Sequence, residues 1–201
     1  MENVVPFQLP EAACEAEPPK RHAIRRPSGF LASALTFALS MTAAFSMLLA
    51  AAILFYDGPL LSFGPGGLWV GHAPDPAVGR VALFVFSFWQ RLAGAFAVLL
   101  LTAPIIFIFH HARALFRLYA AGTVFAPACA RRIKLMGVGL IFYSVVPFVA
   151  NRAILIAGVT NDPVWFHLDE VTSLLFGALA FVIANVMEFG HEIEQERDGF
   201  I

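Results

Sequence analysis

Charge is scarce in this 201-residue chain. Charged residues make up 13% of it, about half the share usual in a soluble domain. Thirteen Lys and Arg stand against fourteen Asp and Glu, for a net charge of -1. That near-balance excludes a strongly basic nucleic-acid binder, so no direct nucleic-acid contact is expected. Cysteine is almost absent. Cys14 and Cys129 form no CxxC pair, and neither reads as a redox or metal site. Catalytic signatures are missing as well. The glycine cluster at 64–71 contains no lysine, so it is not a P-loop. There is no GxSxG, and His191-Glu192 is followed by Gln195 where an HExxH would need its second histidine. Nucleophile, base and metal cluster are all lacking, which points away from an enzyme and from any cofactor.

What the chain has is apolar sequence: 59% hydrophobic residues and a mean hydropathy of +0.76. This excludes intrinsic disorder for the body of the chain, since disorder goes with low hydrophobicity and high net charge. A helix rises 1.5 Å per residue and the bilayer hydrocarbon is about 30 Å thick, so a crossing takes about 20 apolar residues. Residues 30–56 carry no charge. Residues 92–109 carry none, and the apolar character reaches back through 81–89, interrupted by Gln90 and Arg91. Residues 135–150 and 171–187 are shorter uncharged runs flanked by helical sequence that completes the crossing. The expectation is an all-α integral membrane bundle of four transmembrane helices, spanning about 30–56, 85–109, 133–157 and 171–189.

Orientation follows from the cations. Lys20, Arg21, Arg25 and Arg26 precede the first span. Arg113, Arg117, Arg131, Arg132 and Lys134 lie between the second and third, and Arg197 lies in the tail. Only Arg80, Arg91 and Arg152 fall on or near the other side. Both termini are therefore expected in the cytoplasm, with the chain in the inner (plasma) membrane. Residues 1–29 hold Glu2, Glu11, Glu15, Glu17 and several prolines. They read as a disordered tail and not as a cleavable signal, because the apolar run that follows is too long for an h-region.

The connections differ in character. The outer loop 57–79 is rich in Gly and Pro yet carries Leu60, Leu61, Phe63, Leu68, Trp69 and Val70. It is expected to fold back on the outer face with Trp69 at headgroup level. In the second outer loop, Asn161-Asp162-Pro163 can cap a short helix, and Trp165 and His167 suit the interface. On the inner side, the second helix is expected to continue through 110–121 until Gly122 at C′, with Pro127 opening the third. The fourth should extend through 188–198. Pro104 and Pro147 should kink their helices. Ala32, Thr36, Ser40 and Ala44 place small residues at intervals of four, which allows close approach within a bundle or across a homo-oligomer.

Polar residues in or near the membrane are candidate functional groups. Arg91 needs an acceptor, which Asp57, Asp169 or Glu170 could supply. Asn151 and Arg152 should lie at the outer interface, where Arg152 can snorkel, and Asn185 and Glu188 at the inner boundary. Several ionisable groups at matching depths would mark a transport pathway, and the first and third spans force none to mid-depth. His110-His111 point to different helix faces, so a metal site would have to borrow a ligand such as His191. Interfacial histidines are the simpler reading.

Two charge ladders stand out. Arg113 and Arg117 are spaced i, i+4 on the extended second helix, and Glu188, Glu192 and Glu196 repeat that spacing on the fourth. The ladders can pair, docking the acidic tail on the basic arm. The competing reading has the arginines meet anionic lipid at about 1 kcal/mol each while the tail is solvated.

Leu115-Phe116, Gly122-Thr123-Val124-Phe125 and Arg131-Arg132, with the acidic end from Glu188 through Glu192-Ile193-Glu194-Gln195-Glu196 to Phe200-Ile201, together resemble the bacterial domain-of-unknown-function-2975 family. The resemblance implies a four-helix membrane architecture and no established activity. Ala126 departs from the family's usual Ser or Thr N-cap, which implies a weaker start to the third helix. Members are often encoded beside a small helix-turn-helix regulator, so the resemblance also implies a cytoplasmic regulator as partner. The leading expectation is a non-enzymatic multi-pass protein that binds a cytoplasmic protein through its basic arm and acidic tail. The alternative is a subunit of a small-molecule transporter or channel.

Overall fold

The computed structural model describes residues 19–64, 67–71, 75, 77, 79–123, 126–159 and 168–198. Four long helices dominate it: α1 (Pro19–Phe55), α2 (Phe88–Ala120), α3 (Pro127–Ile156) and α4 (Leu168–Asp198). Each is long and apolar enough to cross a membrane. Between α1 and α2 lie strands β1 (Leu61–Gly64), β2 (Gly67–Val70) and β3 (Val81–Ala82), then one 3-10 turn at Leu83–Val85.

In hydrocarbon every polar group must find a partner inside the protein. Several hydroxyls of α1 do so locally. Ser33 donates to the Gly29 carbonyl, Thr36 to Ala32 and Ser40 to Thr36. Both α2 and α3 run on as helix through Pro104 and Pro147. Two helix ends are closed by glycines at positive φ. At Gly122 (φ 87°) the amides of Gly122 and Thr123 donate to Tyr119 and Leu118, and at Gly158 (φ 69°) those of Gly158 and Val159 donate to Leu155 and Ile154. This is the Schellman pattern, which uses the last carbonyls of each helix. Gly122 thus stops α2 and Pro127 starts α3, as the sequence predicts.

One boundary differs from expectation. Residues 19–29, expected in the disordered tail, belong to α1. Proline is tolerated at the first helical position, and the acidic residues that made the segment read as a tail all precede it. Residues 1–18 and the proposed Asn161-Asp162-Pro163 cap, with Trp165 and His167, lie outside the described residues.

The helices pack in chain order, α1 on α2, α2 on α3 and α3 on α4. Among the described residues α1 and α4 share at most marginal contact. The stripe expected to mediate close approach leaves the packed surface along α1: Ala32 is buried, Thr36 half-buried, and Ser40 and Ala44 exposed. A close backbone approach lies elsewhere, between α3 and α4. A Cβ on Gly137 would meet the Gly177 carbonyl oxygen at 2.9 Å, and one on Gly177 would meet the Gly137 oxygen at 3.0 Å. Side-chain-free positions let the two backbones touch.

The loop between α1 and α2 does fold back, as an antiparallel sheet of order β2-β1-β3. Leu61 faces Val70 and Phe63 faces Leu68 across one edge, while Ser62 faces Ala82 across the other. Leu61, Phe63 and Leu83 pack on Ala50 and Ile53 of α1, Ala95 of α2 and Val159 after α3. Burying side chains of this size stabilises by about 1.5–3 kcal/mol each. A Cβ on Gly94 would lie 2.9 Å from the Phe63 ring, so that glycine is the notch that admits it. Ser62 is the cap's mismatch: its hydroxyl is fully buried without a hydrogen-bond partner among the described residues.

Candidate functional site

The bundle has a hairpin end and an opposite, termini end, where α2 hands over to α3. At the hairpin end, polar groups serve as braces. Ser87 and Gln90 form a capping box at the start of α2: the Ser87 amide donates to Gln90 Oε1 at 2.9 Å and the Gln90 amide to Ser87 Oγ at 3.4 Å. The Nε2 of Gln90 also donates to the carbonyls of Ala157 and Gly158, each at 3.2 Å. One side chain thus joins the start of α2 to the end of α3. Arg91 donates to Asp57 Oδ1 at 2.7 Å, linking α2 to the residues just after α1. Of the three acceptors the sequence offered, Asp57 takes the role. Arg152 rests over the Phe148 ring at 5.2 Å and Arg80 over Trp69 at 5.6 Å. Asn151 is half-buried and Glu170 buried.

At the termini end, Arg25 Nε donates to the carbonyl of Ala120, the last residue of α2, at 3.2 Å. A cation at a helix C-terminus also meets the negative end of its dipole. Cys129, fully buried, donates through Sγ to the Thr123 carbonyl at 3.2 Å. Ala126 has extended N-cap dihedrals (φ -80°, ψ 149°) but makes no side-chain cap, in line with the departure noted at that position.

At Glu188 the arrangement differs from the docking expectation. Its Oε2 accepts from Lys134 Nζ at 2.6 Å, so at this position α4 is tied to α3. The cause is the packing order: α4 lies on α3, and Lys134 reaches its carboxylate first. The side chains of Glu192, Glu196 and His191 lie outside the described residues. Neither Arg113 nor Arg117 has an ion-pair partner among the described residues, and the buried Nε of Arg113 has no hydrogen-bond partner. Arg117 and Asn185 are exposed.

His110 and His111 do diverge. His111 is buried, its ring 4.3 Å from that of Phe107, and Arg132 Nη1 lies 3.0 Å from its Nδ1. Arginine can only donate, so Nδ1 accepts and carries no proton in this arrangement. Among the described residues no three His, Cys, Asp or Glu side chains are grouped to hold a metal. Sequence reasoning missed this pairing, because nothing in a histidine doublet names a partner 21 residues away. The role of Gln90 carried a usable signal, the Ser87-x-x-Gln90 spacing of a capping box.

Beyond Phe107, toward mid-bundle, a slot of about 270 Å³ opens between α2 and α3. Pro104 and Gly139 form part of its floor, and Leu100, Phe107, Phe142 and Val146 its walls. All are apolar.

These features define a multi-pass membrane protein of four helices, capped at one end by a small sheet. The chain belongs to the family described as Protein of unknown function (DUF2975), whose model matches residues 76–201. The match begins just before β3 and takes in α2, α3 and α4. No curated protein and no solved structure matches the chain.

Proposed function

We propose that this protein is a non-catalytic component of the inner (plasma) membrane that docks an acidic cytoplasmic protein on the termini end, a transcriptional regulator being the partner the family resemblance favours. Both termini face the cytoplasm in this reading, since the cations concentrate at that end. The observation that carries it is the pair Arg113 and Arg117, neither of which has an ion-pair partner among the described residues. They share one side of α2, and Glu188 of α4 is held by Lys134. Cations left without a partner at a protein surface favour an acidic one and set its orientation more than its affinity. The acidic segment 192–196 would add contacts of opposite sign, fixing the register of the docked protein.

A photoreactive residue at position 117, activated in intact cells, tests this. The expected result is a discrete protein adduct that disappears in a chain also carrying Arg113→Glu and is absent from a probe at Phe84. Adducts to lipid alone, or a protein adduct indifferent to charge reversal, would refute the reading.

A further inference from the structure

We propose that the slot between α2 and α3 is a lipid site, holding one acyl chain of an anionic phospholipid whose phosphate is bound by Arg132. The inference is independent of any protein partner.

The slot lies within the two helices, both long and apolar enough to cross the membrane, so its surroundings are hydrocarbon. Its walls stand at the surface: Phe142 is 59% exposed and Phe107 37%. A chain in the bilayer can therefore enter from the side. Water has no partner among residues that are all apolar, and an apolar cavity stays dry. An empty slot would leave its lining without dispersion contacts on one side. A methylene chain restores them.

The headgroup follows from what lies at the slot's end. On α2, His111 is one turn beyond Phe107 on the same helix face, and their rings touch. On α3, Arg132 precedes Gly139 by two turns and shares its face, about 10 Å away along the axis. The two helices thus carry their apolar stripes to a common terminus, where Arg132 meets His111 at 3.0 Å. That bond uses one of the five guanidinium N–H groups. Among the described residues no carboxylate pairs with Arg132, and Glu188 of α4 is held by Lys134. His111 therefore positions a half-buried cation at the mouth of an apolar groove without neutralising it. A phosphodiester with an acyl chain beneath it matches that order of groups. Basic pockets between transmembrane helices bind anionic headgroups for this reason.

Native mass spectrometry of the full chain, released from nanodiscs of phosphatidylglycerol mixed with phosphatidylcholine, tests the site. The wild-type chain should retain one phosphatidylglycerol in preference to phosphatidylcholine. Arg132→Gln should lower that retention about fivefold, the share of one cation, while Arg131→Gln, an exposed neighbour that His111 does not hold, should not. Ala103→Phe, which fills the slot from its exposed rim, should abolish retention of either lipid. Should that variant fail to fold, the comparison of Arg132→Gln with Arg131→Gln still decides. Equal retention of the two lipids, equal effects of the two arginine variants, or a second copy of the chain in place of lipid would each overturn the proposal.

Discussion

The contact between Gly137 and Gly177 allows the packing of α4 to be tested quantitatively. Adding a methyl group at Gly137 places a carbon 2.9 Å from the Gly177 oxygen and 3.1 Å from two carbons of the Phe181 ring. At Gly177 the new carbon lies 3.0 Å from the Gly137 oxygen and 3.0 Å from Ile141 Cγ1. Ordinary contact begins near 3.4 Å, so each alanine is short of room by about half an ångström, well onto the repulsive side of the contact. The obstructing oxygens belong to backbone, so no side-chain rotation relieves the overlap and the helices must part. Overpacking of this kind costs about 1–3 kcal/mol. Replacing glycine in a helix returns up to about 1 kcal/mol. Each of Gly137→Ala and Gly177→Ala should therefore destabilise by about 1–2 kcal/mol. For a chain of this size that lowers the melting temperature by about 2–8 °C, read by size-exclusion of heated, detergent-solubilised protein. Since one separation relieves both overlaps, the double variant should cost less than the two singles together. Gly190→Ala on the same helix provides the control. Its Cβ meets nothing within 4 Å, so the propensity gain stands unopposed and stability should rise. If Gly177→Ala and Gly190→Ala shift the melt in the same direction, or the interface variants add fully, the glycine contact is not what seats α4.

Two further predictions concern helix ends. Ala126→Ser should stabilise the start of α3 by about 1 kcal/mol, because the dihedrals of an N-cap are already in place and only the side-chain acceptor is lacking; slower amide exchange in the first turn of α3 would confirm it, and a lowered melt would contradict it. Gln90→Ala should cost about 1–2 kcal/mol through loss of both the capping box and the tie to α3. Gln90→Glu separates the two roles, since a carboxylate can still accept from Ser87 but cannot donate to Ala157 and Gly158. Amide exchange of residues 157–159 should rise with either variant, and a rise confined to Gln90→Ala would show that the tie is unimportant.

The four helices were legible because the bilayer imposes a length, and an uncharged run of that length has few other uses. Arg91 was legible for a related reason. A guanidinium near hydrocarbon needs an acceptor, and few acids lay within reach along the chain. The sheet was not legible. Leu61 and Phe63 mark the loop as apolar, but strand pairing depends on partners such as Ala82, and the space for the Phe63 ring is set by the absence of a side chain at Gly94. Likewise the i, i+4 ladders define helix faces without saying which helices are neighbours. With α4 on α3, Glu188 meets Lys134, a residue that counted in the sequence only as one more cation between spans. The slot was illegible as well, because Pro104 reads as a kink and nothing in the sequence joins it to Gly139, with which it lines the slot.

The two ends of the molecule are braced unequally. At the hairpin end, the Phe63 ring in the Gly94 notch, the Gln90 tie and the Arg91–Asp57 pair join α1, α2 and α3 to one another and to the sheet. At the termini end the side-chain links among the described residues include Arg25 to the end of α2, Arg132 to His111, and Lys134 to Glu188. The last is a partly exposed pair, a type that contributes about 0–1 kcal/mol, and α3 begins there without a side-chain cap. Local opening follows local stability, and a partly exposed pair and an uncapped helix start both lie at the end that carries Arg113, Arg117 and Arg132. A partner or a lipid bound there would act directly on those two weak points.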